Sequence, residues 1–172
     1  MSTPSRRRIV TGHDADGRSV ILQEDWPVQS HAMQGPAIGA DFHEVWHDTA
    51  AVPLLSSQPL TDPAQMPFAL MPRSGHRLRI LDVYPLGQGG FRTQMHRTRT
   101  LDYVVVLEGE LVLILDDSEA VLQAGDVVVQ RGTDHAWENR SERVARAAFF
   151  HLAADFDAEL LSRLPEPLAL LE

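Results

Sequence analysis

From Gly75 onward the chain breaks into short β-rich runs separated by Gly- or Asp-bearing steps, the first of which alternates polar and apolar residues. The runs read "HRLRILDVYPLG", "FRTQMHR", "DYVVVLEGE", "LVLILDD", "EAVLQAGDVVVQRG", "HAWENRS" and "RVARAAFFHLA". Alternation with a period of two marks strands with one face buried, and no helical period persists through this stretch. Short strands at close intervals predict a small all-β barrel or sandwich over 75–154. Upstream, Arg8 to Thr11 and Ser19 to Leu22 flank an Asp/Gly turn and predict a β-hairpin. Between Pro27 and Pro72 the chain is rich in Pro, Ala and Gln, with one strand candidate, "DFHEVWHDT". Residues 1–74 are therefore expected to form a hairpin and an irregular arm that packs on the barrel or on a partner. In 155–172, Phe156, Leu160, Leu161 and Leu164 fall at helical spacing and predict a short closing helix. No internal repeat is visible.

Composition narrows the function classes. At 172 residues the chain can bury one sizeable core, and 44% apolar with 23% charged residues is ordinary for a globular protein. Fifteen basic against twenty-four acidic side chains give a net charge of −9, which argues against a nucleic-acid or anionic-membrane surface. Without cysteine there is no disulfide, thiolate metal site or cysteine nucleophile. Any metal must sit on His, Asp, Glu and water, a donor set suited to Fe, Mn, Ni or Zn. "MSTPSRRRIV" has no apolar signal segment, and no run reaches transmembrane length. A cytoplasmic protein is expected.

If "TQMHRT" is a strand, Gln94, His96 and Thr98 share a face; along "RGTDHAWEN", Thr133, His135, Trp137 and Asn139 do. When both faces line a barrel interior, His96 and His135 meet from separate strands and Asp102 can join them. Two imidazoles and one carboxylate with open positions suit a divalent metal.

The spacing Gly90, His96, Thr98, Asp102, Gly109 resembles the first motif of the cupin superfamily, and Gly125, Gln130, Gly132, His135, Asn139 resembles the second. The resemblance implies a double-stranded β-helix, a jelly-roll barrel, with His96, Asp102 and His135 as metal ligands. The phrases "MHRTRTLDY", "VLEGE" and "RRIVTGHDADGRS" are similar to a subset of small bacterial and fungal cupins, some from aromatic or polyketide pathways. Three positions depart from the pattern: Thr98 replaces a ligand histidine, Asp102 a glutamate, and Gln130 a proline.

The expected function is a metal-dependent enzyme acting on a small oxygen-rich or aromatic molecule, of oxygenase, decarboxylase, isomerase or lyase type. His135 is then the candidate base, and Gln94, Thr98, Tyr103, Trp137 and Asn139 line or support the pocket. The alternative is a small-ligand-binding cupin with an eroded metal site and no catalysis. Arg97 and Arg99 should face outward, and Arg131 reads as a solvated turn residue. His43 and His47 read as surface or interface, with weaker claims at His76 and His151. "GQGG" is a turn with no helix behind it, and no Walker or nucleophile-elbow pattern occurs. An exposed sheet edge and the hairpin lead to the expectation of a homodimer with the arm at its interface.

Overall fold

The computed structural model describes residues 6–26, 39–56, 68–165 and 170. Its strands are β1 Arg8–His13, β2 Ser19–Asp25, β3 Ala40–Asp48, β4 His76–Val83 and β5 Thr100–Glu108. They continue with β6 Glu110–Ile114, β7 Glu119–Gln123, β8 Val127–Arg131, β9 Ala136–Glu138 and β10 Ala145–Ala153, before the helix α1, Ala158–Leu161. β1 and β2 form a hairpin, β3-β4-β10-β5-β8 a five-stranded sheet, and β7-β6-β9 a three-stranded sheet. All named strand pairs are antiparallel. The fold is the all-β double-stranded β-helix expected from the sequence.

Strand alternation builds the core. Along β5, Thr100, Asp102, Val104 and Val106 are buried while Tyr103 is exposed. Val104 and Val106 join Leu111, Leu113, Trp137 and Phe149 in one cluster that takes side chains from both sheets. Each such burial stabilises by about 1.5–3 kcal/mol. Gly109 carries the chain from β5 into β6 at φ 75°, a conformation a side chain would strain.

Several elements differ from expectation. The candidate "DFHEVWHDT" becomes β3, the edge strand of the main sheet, so that sheet begins inside the segment read as an arm. "FRTQMHR" is not a strand: it follows an irregular path with single bridges, His96 to His135 and Arg97 to Leu170. The C-terminal helix is only four residues, capped by the Asp157 side chain on the Leu160 N–H. The hairpin is anchored at its base, where buried Arg8 pairs with Asp25 and donates to the Val45 carbonyl at 3.0 Å.

Candidate active site

The main cavity, about 750 Å³, is bordered by β3, β4, β5 and β10 on one side and by β6, β9 and the 91–96 segment on the other. Its walls are largely apolar, with Phe42, Leu81, Phe91, Leu111, Trp137 and Phe149 prominent. Against them stands a polar row.

Register creates that row. On β5, Asp102 lies opposite His151 of β10 on one side and Gln130 of β8 on the other. Three residues distant in sequence therefore stand side by side on the inner face. His151 Nδ1 donates to Asp102 Oδ1 at 2.9 Å, and Gln130 Nε2 donates to Asp102 Oδ2 at 3.1 Å. The same amide nitrogen lies 3.2 Å from His135 Nε2. With its two protons it links the carboxylate to the imidazole, and Gln130 Oε1 is left buried without a hydrogen-bond partner.

His96 and His135 complete the group. Their backbones form a two-way bridge, at 3.0 and 2.8 Å, and their ring centroids are 4.2 Å apart. His96 Nδ1 lies 2.7 Å from the Gln94 carbonyl and His135 Nδ1 lies 2.9 Å from the Thr133 carbonyl. A carbonyl can only accept, so both Nδ1 atoms must carry the proton and Nε2 is the nitrogen left to accept. Burial, followed by the neighbouring His96, pushes the His135 imidazole down to about 4. At neutral pH it is uncharged.

The expected three-ligand set of His96, Asp102 and His135 is not assembled. Both oxygens of Asp102 are engaged, by His151 and by Gln130, whose amide stands between the carboxylate and His135. Among the described residues, no group of three or more His, Asp or Glu is arranged to hold a metal ion. The chain offers two imidazole nitrogens and keeps the carboxylate for another imidazole.

Other expected site residues divide. Gln94 and Trp137 border the cavity, whereas Thr98, Tyr103 and Asn139 do not. Thr98 is buried and accepts from the Thr100 hydroxyl at 2.7 Å, because the segment is irregular and strand alternation does not apply to it. Tyr103 is on the outer face of β5, one position out of phase with Asp102. Asn139 is fully buried and donates to the carbonyls of Val83 and Arg143, a clamp on a turn.

Among the remaining polar residues, Arg97 is buried against Asp134 instead of facing solvent, while Arg99 reaches Asp155 at the surface. Arg131 is exposed. His43 is buried, 3.3 Å from Asp82. His151 and Gln130 are the polar residues that sequence reasoning undervalued. Gln130 stood out only as a departure from a motif, and His151, at the end of a barrel strand, had only a weak claim to point inward.

A family model described as Cupin domain matches residues 82–151. A phomopsin biosynthesis cluster protein D from Diaporthe leptostromiformis is 37% identical over 172 residues, covering 94% of this chain and 86% of that protein. The chain belongs to the cupin superfamily. A cupin-domain-containing oxidoreductase of Neurospora crassa is 32% identical over 83% of this cupin and 70% of its own length. Another protein of that description, from Aspergillus ruber, is 32% identical over 77% of this chain and 63% of its own. Among solved structures, a Cupin 2 conserved barrel domain protein from Salinispora arenicola covers 81% of this chain and 87% of that one. Its TM-score is 0.43 at 14% identity. Relatives of this cupin thus carry enzyme names.

Proposed function

We propose that this cupin is an enzyme that takes one small, largely apolar, oxygen-bearing molecule into its cavity and moves protons on it. A single observation carries the reading: the polar row His151, Asp102, Gln130, His135, with His96 beside it, faces a largely apolar cavity. Asp102 is a positioning residue. By accepting the Nδ1 proton of His151 it fixes that ring's tautomer and leaves Nε2 as the basic nitrogen. Gln130 holds the carboxylate and His135 together, and neutral His135 adds a second imidazole that can accept a proton at Nε2. The apolar walls exclude water, which strengthens each polar contact with the bound molecule. The enzyme names of the relatives support the reading.

One feature favours a second reading with a divalent metal. His96 and His135 both tie Nδ1 to backbone carbonyls, the arrangement that leaves Nε2 lone pairs for an ion. Those two residues would hold it, and it would supply Lewis acidity to a substrate oxygen.

The test incubates purified protein in D₂O with a panel of phenols, 1,3-diketones and aromatic carboxylates, followed by proton NMR. Exchange or conversion with wild type, lost in His151→Asn and His135→Asn, supports the enzyme. Binding without either change in any sample leaves the non-catalytic alternative. Elemental analysis of untagged protein decides the metal: a stoichiometric ion lost in both His96→Ala and His135→Ala supports it, and its absence after soaking removes it.

A further inference from the structure

The cavity contains a second polar feature that the proton-transfer reading does not use. On β4 the first two inward positions are arginines: Arg77 and Arg79 are 7% and 1% exposed, whereas Leu78 between them and Ile80 after them are only half-buried. Arg79 borders the cavity. Its guanidinium lies over Phe42 and Phe68, at 5.4 and 5.6 Å from the ring centroids.

The charges do not balance. Glu44, 4% exposed, sits 2.7 Å from Arg79 Nη2 and 3.8 Å from Arg77 Nε. Among the described residues, the hydrogen bonds of both guanidiniums go to the carbonyls of Ala69 and Leu70, which orient a cation without neutralising it. The nearby acid Asp48 is turned to the Ala50 N–H at 2.8 Å. Among the described residues, two buried cations therefore share one carboxylate, and the Nε atoms of both arginines have no hydrogen-bond partner. A buried charge is costly unless something offsets it. The Arg79 guanidinium is pushed down to about 10 by burial, and it stays charged at neutral pH.

We propose that Arg79, backed by Arg77, is the recognition site for an anionic oxygen of the substrate, so that the molecule this cupin takes is a small carboxylic acid. Its carboxylate balances the excess charge at β4, and its apolar body lies along the aromatic wall. Guanidinium is the preferred partner for such an oxygen in a desolvated site. The inference rests on the cavity being the substrate site. It concerns binding, and so it stands or falls separately from the proton chemistry.

The test is fluorine NMR titration of 4-fluorobenzoate against 4-fluorobenzamide, two probes of equal shape that differ in charge. Wild type is expected to bind the acid at least about tenfold more tightly than the amide. Arg79→Met should abolish that preference, and Glu44→Gln, which removes the counter-charge that the described residues supply, should enlarge it with the amide unchanged. A merely structural arginine would change both probes together. If Arg79→Met fails to fold, Glu44→Gln decides, and an unchanged acid-to-amide ratio overturns the proposal. Equal binding of the two probes by wild type, or no binding of the acid at millimolar concentration, also overturns it. His135→Asn and His151→Asn should keep the preference while losing exchange, which separates failure of the proton chemistry from failure of the anion site.

Discussion

His135 is buried deeply enough to outweigh the groups that favour its charged form, the Thr133 carbonyl and the carboxylates of Asp102 and Asp134. Its value in the fold, about 4, lies below the ordinary histidine value of 6.5. Between these two pH values the unfolded chain takes up a proton that the native protein refuses. Stability is then complete above about pH 6.5 and falls as the pH drops toward 4, by up to about 3 kcal/mol from this residue. Urea titrations of wild type and His135→Asn across that range should show a shallower pH dependence in the variant; parallel curves would contradict the assignment. Gly90 makes a different residue-scale prediction. A Cβ there would lie 2.0 Å from the Tyr84 carbonyl oxygen, so the first motif's glycine is explained by close backbone approach. Gly90→Ala is expected to cost about 2–3 kcal/mol in chemical denaturation. Spacing marked Gly90, but its neighbour comes from a turn partner that spacing cannot name.

At the scale of elements, Asn139 joins three pieces of chain. Its Nδ2 donates to Val83 at the end of β4 and to Arg143 before β10, and its Oδ1 accepts from the Ser141 N–H and hydroxyl. Asn139→Ala leaves buried carbonyls unpaired and should destabilise by about 2–3 kcal/mol, with faster amide exchange at the start of β10. Cavity occupancy by 4-fluorobenzoate should survive, since the side chain does not border the cavity; loss of binding in a folded variant would return Asn139 to the pocket. Strand identity was legible here, because β5, β6, β8 and β10 coincide with the short β-rich runs between Gly- and Asp-bearing steps. The 91–97 segment was not: "FRTQMHR" reads as a short strand among its neighbours, yet it lacks a continuous partner and takes an irregular path. That explains why Gln94 and His96 reach the cavity while Thr98 turns away. β4 shows the opposite ambiguity. Its alternation is real, but the buried face carries Arg77 and Arg79, a choice set by Glu44, two carbonyls and aromatic rings drawn from elsewhere.

For the whole molecule, the outer face of the main sheet bears a row that runs Leu78, Phe150, Tyr103, Val129 across four strands. Phe150, Tyr103 and Val129 are 40, 39 and 56% exposed, an apolar stripe of the kind that marks an association surface. The homodimer expected from the sequence remains a proposal, and this face is where it is tested. Light scattering should give twice 19.1 kDa for wild type and a monomer for Tyr103→Glu with Val129→Glu; a monomeric wild type removes the idea. Among the described residues no helix is long and apolar enough to cross a membrane. The sequence by itself determined most of the strands, their turns and the two motifs, because short β-rich runs and glycine spacing are local. Only the tertiary structure decided that Asp102 pairs with His151, 49 positions away, and with Gln130, 28 positions away. Cross-strand register selects those partners, and register depends on how whole sheets pack.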